Sequence, residues 1–365
     1  MHKKVAIIIS PNYKDYARKY LAECVDSLKK QDYAGEIKIF IADNESTEDS
    51  FRYLKKILDE IDCGSEAAMA NTYEIVRNKN NDGFAKANND CLKLALERGF
   101  EYLILFNMDT VLESDSVSKL TAAAASERIG AAQARLMLYN DKNKINSLGN
   151  VTHFLGFGYA KGYGESFNPP TPPLQGGQEI CYPSGAAVLF KREALEKVGL
   201  FDEEFWMYNE DQDLGWRLWL SGYKCVLAPE AVVYHKYEFS RSIKKYYFMD
   251  RNRIIAMLKN YHWATLLLIA PAFIVMEIGL LFFSFSNGWF KEKNNVYKYF
   301  LSSKNWRYIR QARKQAQKLR QIKDKDIIKL FSGKIWYQEI GDGKLKAANV
   351  IFSAYWKVIK VLTRW

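Results

Sequence analysis

An α/β fold with a mostly parallel, Rossmann-like sheet and a helical tail is predicted by three features of the sequence. Short apolar runs alternate with segments of helical spacing between residues 4 and 110. Each of these runs ends in a polar cluster. A second, strongly apolar kind of sequence begins at Trp263, where the alternation has stopped. Strands separated by helices imply parallel pairing, because a parallel neighbour needs a long crossover.

The elements follow in order. Val5–Ser10 is a continuous apolar run, as for a strand buried on both faces. Tyr16–Lys30 places Leu21, Val25 and Leu28 on one side of a helix. Ile37–Asn44 is a second strand and Asp49–Ile61 a second helix. Tyr73–Asn78 and Ala85–Arg98 repeat the pair, and Tyr102–Asn107 is a fourth strand. Residues 114–139 read as helix then strand. Residues 140–182 read as loop, with a Pro-rich turn at "NPPTPP". Ala186–Gly199 is strand then helix, and Asn209–Tyr223 an acid-headed helix ending at Gly222. "KCVLAPEAVVYHK" is two short strands around a turn at Pro229. The chain shows no internal repeat.

Composition narrows the function classes. The chain has 365 residues, 48% hydrophobic and 26% charged, a globular balance sufficient for one large domain and an appendage. Its net charge of +11 is concentrated in Lys291–Lys325. Such an excess suits nucleic acid, an anionic membrane or a phosphate-bearing substrate. Apolar segments on both sides of the basic run favour the membrane over nucleic acid. Five scattered cysteines without CxxC spacing argue against a disulfide framework or a zinc knuckle and fit a reducing compartment. The first ten residues read as a strand, being too short an apolar run for a signal peptide.

In parallel sheets ligands bind beyond the carboxyl ends of the strands. Those ends read "SPNYKD", "DNESTED", "NKNNDGFAKANND" and "NMDT". Neither a GxGxxG after the first strand nor a GxxxxGK[ST] loop is present, so the usual dinucleotide and P-loop fingerprints are missing. An apolar strand that finishes on Asp109 needs a reason. A carboxylate there caps the next helix or meets a ligand.

Five ordered blocks resemble family 2 inverting glycosyltransferases, enzymes of the GT-A fold: "IIISPNYKDYARKYLAECVDSL", "IADNEST", "NKNNDGFAKANND", "FNMDT" and "SGAAVLFKREALEKVGLFDEEFWMYNEDQDLGWRLWLSGYKCVLAPEAVVYH". The resemblance covers about residues 4–260 and looks most like bacterial rhamnosyltransferase-type enzymes of surface polysaccharide assembly. It implies a nucleotide-diphosphate sugar donor (dTDP-rhamnose or another NDP-hexose) and a divalent cation, Mg²⁺ or Mn²⁺. Asp109 matches the metal ligand, and Asn107 is a weaker polar contact in the same Asp-x-Asp element. His235 matches a histidine that completes the metal shell or touches the diphosphate.

Donor contacts are implied for Asn12, Tyr13, Asp43, Asn44, Gly83, Phe84, Asn88, Ser184 and Gly185. Lys14 departs from the family's Asn-Tyr-Asn. Asp211 matches the catalytic base, with Glu210 orienting and Asp213 structural. Arg217 either pairs with an acid or reaches the diphosphate. The rivals are a sugar-phosphate nucleotidylyltransferase, whose Gly-rich basic N-terminal loop "SPNYKDY" does not supply, and an inactive scaffold of the same fold.

Two domains are expected, 1–260 for the transferase and 261–365 for a helical membrane-association region. Trp263–Phe285 is long enough to span a bilayer, which takes about 20 apolar residues. Pro271 and Glu277 interrupt it, and a span would put the basic run on the wrong side for the positive-inside tendency. A kinked helix or hairpin in the cytoplasmic face is therefore expected. Ala347–Trp365 carries one narrow polar stripe (Asn349, Ser353, Lys357, Lys360, Arg364) on an otherwise apolar helix, as an interfacial helix would. These features imply a cytoplasmic protein, peripheral or monotopic at the inner membrane, acting on a polyprenyl-linked glycan.

Overall fold

A computed structural model describes residues 2–62, 72–168, 177–237, 243–335 and 343–365. The Pro-rich turn falls almost wholly outside them.

Three βα steps and a fourth parallel strand open the chain: β1 (Val5–Lys14), α1 (Tyr16–Leu28), β2 (Ile37–Ser46), α2 (Glu48–Asp62), β3 (Tyr73–Asn78), α3 (Gly83–Glu97) and β4 (Tyr102–Phe106). β1 pairs in parallel with both β2 and β4, and β2 with β3, giving the order 3-2-1-4. Val5–Ile9 and Tyr102–Phe106 are buried on both faces, so their runs carry no alternation.

Beyond β4 the sheet becomes mixed. β5 (Thr110–Leu112), α4 (Ser116–Ala123) and β6 (Ile129–Leu138) come next. β11 (Ala187–Lys191) then inserts antiparallel between β4 and β6. The stretch expected as loop contains four short strands: β7 (Ile145–Ser147), β8 (Asn150–Thr152), β9 (Gly158–Ala160) and β10 (Gln178–Glu179). Runs of two or three residues leave no periodicity to read. α5 (Arg192–Val198), a 3-10 turn at Glu203–Phe205 and α6 (Glu210–Leu220) lead to β12 (Lys224–His235). This last is one strand, not two. Its register against β6 jumps between Ala228 and Val232, so Pro229 sits in a bulge, where a proline needs no ladder hydrogen bond.

The tail is helical: α7 (Ile243–Asn260), α8 (Trp263–Ser286), α9 (Phe290–Leu301), α10 (Ser303–Lys318), α11 (Asp324–Ile327) and α12 (Gly343–Leu362). The boundary expected at 260 does not coincide with a gap in packing. One apolar core runs from Ala6 and Leu105 of the sheet through Trp216 and Tyr261 to Phe331, Trp356 and Ile359. Trp356 stacks on Phe154 with ring centroids 4.8 Å apart. Pro271 does not break α8, and Glu277 turns inward. It pairs with Arg253 and, at 2.7 Å, with Lys293, both buried. The carboxylate that interrupts the apolar run is thus neutralised on the protein side of the helix. The other side of α8 exposes Leu267, Ile274 and Phe282 (74%, 58% and 68%). α12 divides similarly, with Phe352, Trp356 and Ile359 buried and Val350, Ile351, Val358 and Val361 exposed.

Candidate active site

The carboxyl end of β4 and the hairpin-like return of β12 build the first half of the site. Thr110 of β5 pairs with His235 of β12, which sets Asp109 beside that imidazole. His235 Nε2 lies 3.2 Å from Asp109 Oδ1. The approach lacks hydrogen-bond alignment, so Oδ1 is buried without a partner. The other ring nitrogen of His235 is 3.0 Å from Asn146 Oδ1, which fixes the ring. Burial pushes the Asp109 carboxyl up, but His235 and the Tyr16 hydroxyl outweigh it and hold the group below its ordinary value. Asp109 in turn raises the Tyr16 phenol, after burial. Asn107 Oδ1 is a second buried oxygen without a partner.

These donors fit a divalent cation in chemistry. One carboxylate and one imidazole stand side by side, and an idle amide oxygen lies two residues from the carboxylate. Among the described residues no group of three His, Cys, Asp or Glu could hold a metal. A cation here would draw its remaining ligands from water and substrate phosphate, the usual habit of Mg²⁺.

Asp211 opens the second half. It lies in the first turn of α6, which follows Trp206, Tyr208 and Asn209, all held at positive φ (60°, 68° and 65°). Positive φ in bulky residues is costly and persists where the surroundings impose it. Asn252 of α7, fully buried, imposes it here. Its amide contacts the carbonyls of Phe205, Met207 and Tyr208 at 2.7–3.0 Å.

The three acids at this helix start point apart. Asp213 faces inward and bonds Arg217, Lys259 and Asn260, each at 2.9 Å. Burial opposes its charge, but these cations bring the carboxyl down to about 2. Glu210 is buried with Oε2 unpartnered, and burial, then the charge of Asp211, push it well up. Asp211 accepts from the Gln212 N–H (2.8 Å) and the Gly185 N–H (3.4 Å). The residue keeps some exposed surface, yet protein surrounds the carboxyl, and burial lifts it to about 6. The lift comes from burial rather than from Glu210.

The two halves meet at one loop. The Asn107 N–H donates to Ala186 O (2.9 Å), while Gly185 donates to Asp211. Ser184 is tied by its N–H to buried Gln133 (2.7 Å). Gly185 faces the Phe84 ring, with which an added Cβ would be in tight contact at 3.2 Å.

The remaining expected donor contacts divide into two sets. Tyr13 is exposed and stacks on Tyr16 (5.0 Å). Tyr13 is thus available to a ligand. Asp43, near the end of β2, is buried, with Oδ2 lacking a hydrogen bond and Arg77 3.6 Å away. Asn12 is buried and bonds Asp43 Oδ1 (2.8 Å) and the Ala17 N–H (2.9 Å), so it positions Asp43 instead of facing outward. Asn44 is buried between Gly83 O and Asn78. Asn88 bonds Phe84 O and keeps Oδ1 buried and idle. Gly83 does allow close approach, but of Trp206, whose atoms would lie 2.5–2.6 Å from an added Cβ. Of the two readings of Arg217, the pairing with an acid holds and the donor contact is corrected. Its guanidinium is spent on Asp213 and the carbonyls of Val198, Gly199 and Leu200, so it cannot reach a diphosphate.

Tyr16, Asn146, Gln133 and Asn252 escape a reading of the sequence. Each acts through a neighbour distant in the chain, and their local context carries no motif. Only Tyr16 has a hint, three residues after Tyr13 in the first block.

Sheet, strand-end acids and helical tail together define a GT-A type nucleotide-sugar transferase fold. The solved structures agree. GalNAc-T7 with UDP, GalNAc and Mn²⁺ aligns at a TM-score of 0.52 and 14% identity, over 70% of this chain and 48% of that one. S. aureus TarS 1–349 aligns at 0.51 and 16% identity, over 98% of this chain and 90% of that one, as does its complex with UDP-GlcNAc. The chain belongs to glycosyl transferase family 2, whose model matches residues 7–199, more than half its length. An N-acetylglucosaminyl-diphospho-decaprenol L-rhamnosyltransferase from Mycobacterium tuberculosis is 48% identical over 52 residues. That match spans 14% of this chain and 17% of the relative.

Proposed function

We propose that the chain is an inverting, metal-dependent glycosyltransferase that adds one sugar, with rhamnose the first candidate, to a hydroxyl of a lipid-linked glycan. One observation carries the reading. Asp109, with unpartnered Oδ1, and Asp211, lifted toward neutrality, flank the same Ser184–Ala186 loop. Two carboxylates with environments that push their pKa values apart suit two roles.

Tyr13 is exposed to the donor's base and ribose, and buried Asp43 keeps one carboxylate oxygen without a hydrogen bond for the same partner. Asp109 and His235 would hold a divalent cation, and a cation there neutralises diphosphate charge as the leaving group departs. Asp211 accepts the proton of the acceptor hydroxyl while its oxygen attacks the anomeric carbon. The bond to the diphosphate oxygen breaks in the same displacement, which inverts the centre. Glu210, held neutral, adds no second negative charge beside the base.

Membrane attachment is part of the same proposal. The exposed stripes on α8 and α12 belong to neighbouring helices, joined by the Tyr355 hydroxyl to Leu268 O (2.5 Å) and Trp365 Nε1 to Thr265 (2.9 Å). α8 is the one described helix long and apolar enough to cross a membrane. Its inward Glu277, paired with Arg253 and Lys293, favours lying at the surface over crossing. The relative's lipid-linked acceptor agrees with such a location.

The test is a donor screen with the full chain. Nucleotide release from UDP-, dTDP- and GDP-sugars is measured with and without a polyprenyl-linked acceptor. Acceptor-stimulated release with one donor supports the reading, and silence across all donors with Mg²⁺ and Mn²⁺ present refutes it.

A further inference from the structure

Two adjoining cavities open along the seam between the tail helices. The first is an almost wholly apolar cleft of about 350 Å³. Ile254 and Leu258 of α7 form one wall, and Leu266, Ile269 and Phe273 of α8 the other. The second is open, about 540 Å³, and includes Arg307 and Arg310 of α10. Phe300 and Trp306 are walls of both, so the two spaces lie on either side of the same pair of rings. The Trp306 indole N–H donates to Phe300 O (2.6 Å), which locks the pair in place.

The polar groups of the first cleft are already satisfied. Glu277 is bonded to Arg253 and Lys293, and the Tyr297 hydroxyl bonds Glu277. The cations of the second cavity are not. Arg307 and Arg310 are exposed and have no acidic or carbonyl partner among the described residues. They stand three apart on one helix, where like charges repel. Lys304 and Lys314 extend the same exposed face. A bound dianion would relieve that repulsion and match the fork geometry of two guanidiniums.

We infer that this seam binds a single-chain isoprenoid lipid phosphate, with the chain in the α7–α8 cleft and the phosphates on Arg307 and Arg310. The inference rests on the proposed lipid-linked acceptor and names where on this chain the lipid part is held. Three features favour one chain with a strongly charged head. The cleft is narrow, at the low end of ligand pockets, which run roughly 300–1,000 Å³. A two-tailed phospholipid would leave one tail outside it. And the α8 residues that line the cleft adjoin the exposed stripe of Leu267 and Ile274, so apolar side chains of one helix serve both the surface and the cleft.

The experiment is a titration of the full chain with geranylgeranyl diphosphate, read by tryptophan fluorescence. Inorganic diphosphate and geranylgeraniol are the partial probes. Two variants are compared with the wild type, each checked for an unchanged thermal midpoint: Arg307→Ala with Arg310→Ala, and Ala270→Phe, which fills the cleft from α8. The whole lipid phosphate should bind at least tenfold tighter than either partial probe. Both variants should weaken it at least tenfold, about 1.4 kcal/mol. Ala270→Phe should leave sedimentation with phosphatidylglycerol vesicles unchanged. Equal binding of inorganic diphosphate overturns the inference, because the chain then contributes nothing. So does undiminished binding in both variants, and so does loss of vesicle sedimentation in Ala270→Phe, which would make a bilayer phospholipid the occupant. The titration requires no sugar transfer, so its failure is separate from failure of the donor screen.

Discussion

Replacing Asp211 by Asn tests the assignment of the base most directly. The carboxamide keeps the shape but accepts no proton, and it loses one of the two acceptors that meet the Gln212 and Gly185 N–H groups. Removal of a general base costs roughly 10²–10⁴ in rate. Donor KM should move little, since the lost interaction belongs to the transition state. The pH dependence sharpens the test. Burial lifts Asp211 to about 6, and the working form is the anion. Activity therefore rises with pH through that value. About nine-tenths of the base is ionised at pH 7 and about one-tenth at pH 5, so kcat should fall about tenfold between them. Glu210→Gln is the control. Burial already holds Glu210 neutral, so the amide changes its charge little, and the loss should stay under about tenfold. The assay is steady-state nucleotide release at saturating donor across pH 5–8. An Asp211→Asn variant that keeps kcat within a factor of about ten, with the acid limb still in place, puts the base elsewhere.

Asp109→Ala should abolish transfer with an unchanged far-UV spectrum, and excess chelator should do the same to the wild type. Turnover surviving the chelator would refute the metal assignment. Asp213→Ala leaves buried Arg217 without its anion and Lys259 with Asp202 alone, and removal of one partner from a buried pair costs about 3–5 kcal/mol, read by denaturant melts. The carboxyl sits at about 2 against an ordinary 3.8, so its contribution is fully present above about pH 4 and lost as pH falls through about 2. Acid unfolding of Asp213→Asn should show a flatter dependence there. Ile274→Glu with Phe282→Glu should end sedimentation with anionic liposomes at low salt while the melting temperature holds, because both side chains are exposed. Truncation at residue 260 is a poorer probe, since it also removes Phe331 and Trp356 from the core.

The sequence by itself determined the βα succession, the position of the strand ends and the carboxylates that stand there. These are local facts. A continuous apolar run such as Tyr102–Phe106 is compatible with few environments, and a parallel sheet gathers whatever follows its strands at one edge. It also marked α8 and α12 as unusually apolar. Tertiary structure alone decided which polar residues remain for a ligand. Asn12, Asn44 and Arg217 resemble site residues in the chain, yet each is consumed by partners 4 to 39 positions away, whereas Asp43 and Asp109 each keep one carboxylate oxygen without a hydrogen bond. The shift at Asp211, the clamp of Asn252 on a strained turn and the inward rotation of Glu277 belong to the same class. Hydrogen-bond saturation and desolvation depend on every neighbour in three dimensions. Residues as far apart as Asn252 and Phe205, or Glu277 and Arg253, become neighbours only when the helices of the tail close over the sheet.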